Sequence, residues 1–79
     1  MIERHYETDD GRPVLVTLSI PQVARPNDPH SEWQVMIRSS GLESNFVQPV
    51  YGVDGVQAME LAIQLLVTIE EVEGLVLPD

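Results

Sequence analysis

Through residues 52–74, GVDGVQAMELAIQLLVTIEEVEG, apolar side chains recur with a helical period. At about 100° per residue, Gln57, Glu60, Gln64, Thr68 and Glu71 share one narrow polar stripe, while Val56, Ala58, Met59, Leu61, Ala62, Ile63, Leu65, Leu66, Val67, Ile69 and Val72 fill the rest. This predicts one long helix. Asp54 is a natural N-cap, Gln57 stands three residues on, where it completes a capping box, and Gly74 closes the helix as its C′ residue. The apolar arc spans roughly 240°, whereas a surface helix needs little more than about 100°. The surplus predicts that the helix touches more than one surface.

Upstream the period shortens to two. Residues 2–8 alternate, with Ile2, Arg4 and Tyr6 on one side and Glu3, His5 and Glu7 on the other, which predicts a strand. Asp9, Asp10 and Gly11 carry a hairpin-turn signal, and a second strand follows over residues 14–20. There Val14, Val16, Leu18 and Ile20 share the core face, with Leu15, Thr17 and Ser19 opposite. Residues 21–31, PQVARPNDPHS, hold three prolines and read as a long exposed loop with no regular element. A third strand is predicted over residues 32–39, with Trp33, Val35 and Ile37 on one face and Gln34, Met36 and Arg38 on the other. The fourth spans residues 45–51, where Phe46, Gln48 and Val50 alternate with Val47, Pro49 and Tyr51, and Pro49 assigns it to an edge or to a local break. The apolar tail at 75–78, LVLP, is expected to fold back on the sheet or to meet a partner chain.

Together these elements predict a single α+β domain over residues 1–79. Its architecture is an antiparallel four-stranded meander, β-β-β-β-α, with one long C-terminal helix packed on one sheet face. The other face carries Leu15, Met36, Val47 and Tyr51. With the surplus arc of the helix, that face predicts a twofold homodimer in which helices, sheets or both meet. On the helix the expected interface residues are Met59, Ile63, Leu66 and Val67, with the acidic Glu70, Glu71 and Glu73 at its end.

Composition points the same way. A chain of 79 residues buries only about 60% of the surface its unfolded form exposes. Cysteine is absent, which removes disulfides and the commonest zinc sites and leaves oligomerisation as the usual reinforcement. The first ten residues are charged and contain no apolar h-region, so no signal peptide is expected. Glu60, Gln64 and Thr68 interrupt the longest apolar stretch, so no membrane span is expected either, and a cytoplasmic location follows as the default. Thirteen acidic residues against four arginines and no lysine give a net charge of −9, which repels a phosphate backbone. Nucleic acid is not an expected partner, and a basic protein is an acceptable one. The use of arginine without lysine suggests a GC-rich bacterial genome.

Candidate chemistry is sparse. His5 and His30 are the only histidines, and Asp28, His30 and either Asp9 or Asp10 do not follow a standard ligand spacing, so no metal or other cofactor is expected. Asp54, near Glu60 or Tyr51, has the chemistry of a catalytic carboxylate, yet its place directly before a helix accounts for it as a cap. Gly52 and Gly55 begin no phosphate-binding loop, and the chain has no serine elbow, no cysteine nucleophile and no lysine for a Schiff base. Trp33 suits either stacking on a ligand or anchoring the core. At the helix C-terminus the macrodipole disfavours Glu70, Glu71 and Glu73 by up to about 1 kcal/mol each at exposed sites. Either the last turn frays, or Arg4, Arg12, Arg25 or Arg38 reaches it, and the acidic end is a candidate docking point for a basic protein.

Val50, Gly52 and Asp54, then Gln57, Ala58, Leu61 and Ala62, follow a strand bearing Trp33. This order, V-x-G-x-D and then QA-x-x-LA, resembles a group of small uncharacterised bacterial proteins. The resemblance implies a compact domain of unknown function and supplies no catalytic residue. A second, looser likeness is to HicB-type antitoxins, whose sheet precedes an alanine-rich helix introduced by a Gly-Asp turn; Gly52, Asp54, Ala58 and Ala62 fit it. The chain departs from those antitoxins in its proline-rich loop, its more apolar helix and the lack of an added DNA-binding segment. The leading expectation is a non-enzymatic, homodimeric protein-interaction module. The alternatives are an acidic antitoxin or immunity-like protein that neutralises a basic partner, and a small-ligand binder or enzyme that uses the loop at 21–31.

Overall fold

A computed structural model describes residues 1–78. Five strands precede one helix: β1 (Ile2–Glu7), β2 (Pro13–Leu18), β3 (Gln22–Val23), β4 (Trp33–Ser40), β5 (Val47–Gly52) and α1 (Gly55–Glu73). Every pairing is antiparallel. β4 is the central strand. One of its edges takes β2 along Ile37–Ser40 and β3 along Trp33 and Gln34, and its other edge takes β5; β1 pairs with the far side of β2.

The α+β class and the single C-terminal helix agree with the sequence pattern, but the strand number is five where four were expected. The cause lies at the start of the proline-rich stretch. Leu18 pairs with Ile37 while Gln22 pairs with Gln34, so Ser19, Ile20 and Pro21 oppose only Val35 and Met36. This is a bulge, which bends a strand and resets the side-chain alternation. Ser19 holds it: its N–H donates to the Met36 carbonyl at 2.9 Å, and its Oγ accepts the Met36 N–H at 2.8 Å. Ile20, expected in the core, is 63% exposed as a result. Beyond the bulge Gln22 and Val23 rejoin β4, so the irregular segment is shorter than residues 21–31.

What remains of that segment is held by its own hydrogen bonds. The Asp28 and Ser31 N–H groups donate to the Arg25 and Asp28 carbonyls, and the Ser31 hydroxyl accepts the Arg25 N–H at 2.7 Å. The β1–β2 hairpin closes in a similarly compact way. Gly11, at φ 85°, donates to the Thr8 carbonyl, and Thr8 donates to Arg12 across the loop. The Asp10 carboxylate accepts from the Thr8 hydroxyl and from Arg12, and these bonds hold its pKa below the usual carboxylate range.

The core lies between the sheet and α1. Tyr6, Val14, Val16, Leu18, Val35 and Ile37 from the sheet meet Ala58, Ala62 and Leu66 from the helix, and Leu75 closes one end. α1 packs over β4 and β5. Its start is capped by Asp54, whose Oδ1 accepts the Gln57 N–H at 2.8 Å. Gln57 reaches back one residue further than a capping box requires, its Oε1 accepting the Val53 N–H at 2.8 Å. At the other end Gly74 is left-handed, its N–H bonded to the Glu71 carbonyl, and the Leu75 N–H donates to Glu70 at 2.9 Å, a Schellman closure. The tail folds back on the sheet. Glu7 and Val76 exchange N–H···O bonds of 2.8 and 3.0 Å on the outer edge of β1.

Candidate functional site

The apolar arc of α1 divides into a buried centre and two exposed shoulders. Ala58, Ala62 and Leu66 face the sheet, and Met59, Leu65 and Ile69 flank them half-buried. On the shoulder toward β1 and β2, Val56, Ile63 and Val67 are 69, 49 and 45% exposed. Because α1 sits over β4 and β5, the β1 side of the same sheet face stays partly open. A cavity of about 190 Å³ lies there, lined by Ile2, Glu3, Arg4 and Leu18 from the sheet and by Met59, Ile63, Leu66 and Val67 from the helix. Further along, Pro21 and Trp33 border a shallow apolar depression with Val56, Met59 and Ile63. On the opposite shoulder, Phe46 and Gln48 of the β5 side form a smaller cleft with Leu65, Ile69 and Val72.

Of the interface residues expected on the helix, Ile63, Val67, Glu71 and Glu73 are exposed, and Met59 is half-buried. Leu66 is a correction: at 5% exposure it belongs to the intramolecular core, because it projects from the same stripe as Ala58 and Ala62. Glu70 is also engaged within the chain. Arg4 Nη1 lies 3.3 Å from its Oε1, and the buried Tyr6 hydroxyl donates to the same oxygen. Of the two fates foreseen for the acidic last turn, the structure thus shows an arginine reaching it. Burial, and then the bond to Glu70, push the Tyr6 pKa up to about 12.

The second surface is the sheet face turned away from α1. Alternation places Glu3, His5 and Glu7 of β1 there, with Leu15 and Thr17 of β2, Gln34, Met36 and Arg38 of β4, and Val47, Pro49 and Tyr51 of β5. No element covers it among the described residues. Pro49 fits its place on β5, since that strand pairs on one side only. Arg38, one of the four arginines expected as partners for the acidic helix end, does not fill that role, which Arg4 takes, and stands instead on this open face. Its signal was present in the alternation, which sets it opposite Val35 and Ile37, but its neighbours across the sheet depend on register.

The remaining candidates resolve into structural roles. Asp28 accepts the main-chain N–H of His30 at 2.9 Å and pairs with Arg25 at 3.4 Å. Among the described residues no three histidine or acidic side chains converge as a metal site would require. Asp54 is engaged as the helix cap. Trp33 packs half-buried against the core with one edge on the shallow depression. No described helix is long and apolar enough to cross a membrane.

No curated protein sequence and no solved structure matches the chain. The likeness to HicB-type antitoxins therefore gains no support. One family model matches, described as "Domain of unknown function (DUF6968)", and it runs over residues 2–70, from the first strand into the last turns of α1. The strand-borne Trp33 and the turn from Val50 to Asp54 into the helix lie within that span, and the chain belongs to the DUF6968 family.

Proposed function

We propose that this domain works without catalysis, as a small protein-interaction module that assembles as a homodimer. The observation that carries this reading is the set of large apolar side chains left in solvent by so small a core, above all Val56, Ile63 and Val67 on one helix shoulder. Fully burying such a side chain contributes about 1.5–3 kcal/mol, so each of these half-exposed residues stands to gain about 1 kcal/mol from a partner surface. Two surfaces are available for the contact: the seam of Met59, Ile63 and Val67, bordered by Glu60 and Glu70, and the open face of the sheet. Sedimentation velocity at micromolar concentration should show a dimer. A monomer across that range overturns the reading.

A second reading is favoured by one further observation. The net charge is −9, and the last turn of α1 carries no basic residue while Glu71 and Glu73 are exposed. These features support docking of a basic protein in the manner of an antitoxin or immunity protein. An arginine-rich peptide should bind the domain and lose affinity when Glu71 and Glu73 are changed to glutamine. Unchanged affinity removes this reading.

A further inference from the structure

We infer that the open face of the sheet docks on the same face of a second copy, about a twofold axis parallel to the strands, with Arg38 of each chain opposite Glu3 of the other. The inference rests on the reading of the domain as self-associating and specifies which surface does it. Its basis is a charge pattern that only the register reveals. Glu3 pairs with Thr17, Thr17 with Arg38, and Arg38 with Val47, so these four form one row across β1, β2, β4 and β5. Thr17 and Arg38 point away from α1, because Val16, Leu18 and Ile37 beside them are buried beneath it, and cross-strand pairing puts Glu3 and Val47 on the same side of the sheet. An acid thus stands at one end of the row and a cation past its middle.

That cation has no charged partner among the described residues. Arg4 pairs with Glu70, Arg12 with Asp10 and Arg25 with Asp28, whereas the exposed Arg38 enters no ion pair among the described residues; Glu3 lies 3.5 Å from the exposed His5 imidazole on the same face and would exchange that contact for the guanidinium. Neighbouring strands lie about 4.8 Å apart and packed sheets about 10 Å apart. A twofold axis along the strands, between β2 and β4, carries β1 of the second copy over β5 and its β2 over β4 while keeping each row opposite itself. Glu3 of the second copy then stands over Val47, one strand from Arg38, at a separation the two long side chains span together. The half-buried Leu15 and Met36 lie in the rows on either side, so apolar surface surrounds the charged pairs. An axis across the strands instead sets β1 against β1 and brings Glu3 and Glu7 against their own kind, which charge repulsion disfavours. The helix seam lacks this complementarity, because it is bordered by Glu60 and Glu70 and its one cation, Arg4, is already bonded to Glu70.

The test is a reciprocal charge swap read by sedimentation equilibrium, with circular dichroism confirming that each variant keeps its fold. Arg38→Glu and Glu3→Arg should each weaken self-association by about tenfold or more, since each places like charges together. An equimolar mixture of the two variants should recover association to about the wild-type level as a heterodimer, because both cross-chain pairs then join opposite charges. If Arg38→Glu dimerises as well as the wild type while Ile63→Glu does not, this inference fails and the homodimer reading stands on the helix seam. If the wild type is itself monomeric, both fail. If both single variants dissociate and the mixture does not recover, the Arg38–Glu3 pairing is overturned.

Discussion

Gly52 ends β5 with the first turn of α1 pressed against it. A Cβ at this position would lie 2.4 Å from the Ala58 nitrogen and 2.9 Å from its Cα, both of them backbone atoms that cannot step aside. Gly52→Ala should therefore destabilise the domain by about 1–3 kcal/mol, the range of core overpacking, and chemical denaturation will measure it. The glycine of the V-x-G-x-D run is thus explained by packing. Tyr6 makes a different kind of prediction. Its pKa of about 12 in the fold exceeds its ordinary value of 10.0, so the native state holds the proton more tightly than the unfolded chain does. The resulting stabilisation, about 2–3 kcal/mol, is fully present below pH ~10 and is lost as pH rises toward ~12. Denaturation followed across that window should show the decline in the wild type and a shallower one in Tyr6→Phe. The cap at Asp54 was legible because its partner is three residues away, whereas the Tyr6–Glu70 bond joins residues 64 apart and leaves no local trace.

At the scale of elements, α1 was the most legible part, since both its ends rest on local chemistry. Asp54→Ala should cost about 1 kcal/mol in thermal or chemical denaturation, while Asp54→Asn, which keeps the accepting oxygen, should stay near the wild type. Equal losses in both variants would show that the charge, and not the hydrogen bond, is what matters there. β1, β2, β4 and β5 were legible from period-two alternation, and Pro49 correctly marked an edge. β3 was not. Three prolines in residues 21–31 suggested an irregular run, yet Gln22 and Val23 lie between prolines and bond to β4 because the bulge at Ser19 delivers them into register. The same bulge turns Ile20 outward. A one-residue offset reverses which face a side chain takes, and nothing in the alternation of residues 14–20 announces it.

For the whole molecule, the residue pattern was enough to give the class, α+β with an antiparallel sheet and one helix, because hydrophobic period and turn chemistry are properties of neighbouring residues. It also indicated that the apolar surface exceeds what one small core can hide. Where that excess lies follows from how the elements pack. The packing set α1 over β4 and β5, which drew Leu66 into the core and left Ile63 and Val67 outside. It also brought Arg4 to Glu70, folded the tail onto β1, and placed Glu3, Thr17, Arg38 and Val47 in one row. Strand order, register and the seat of a helix on a sheet depend on contacts between residues far apart in the chain. Their energies are settled by packing and by long-range charge, which no local pattern of residues records.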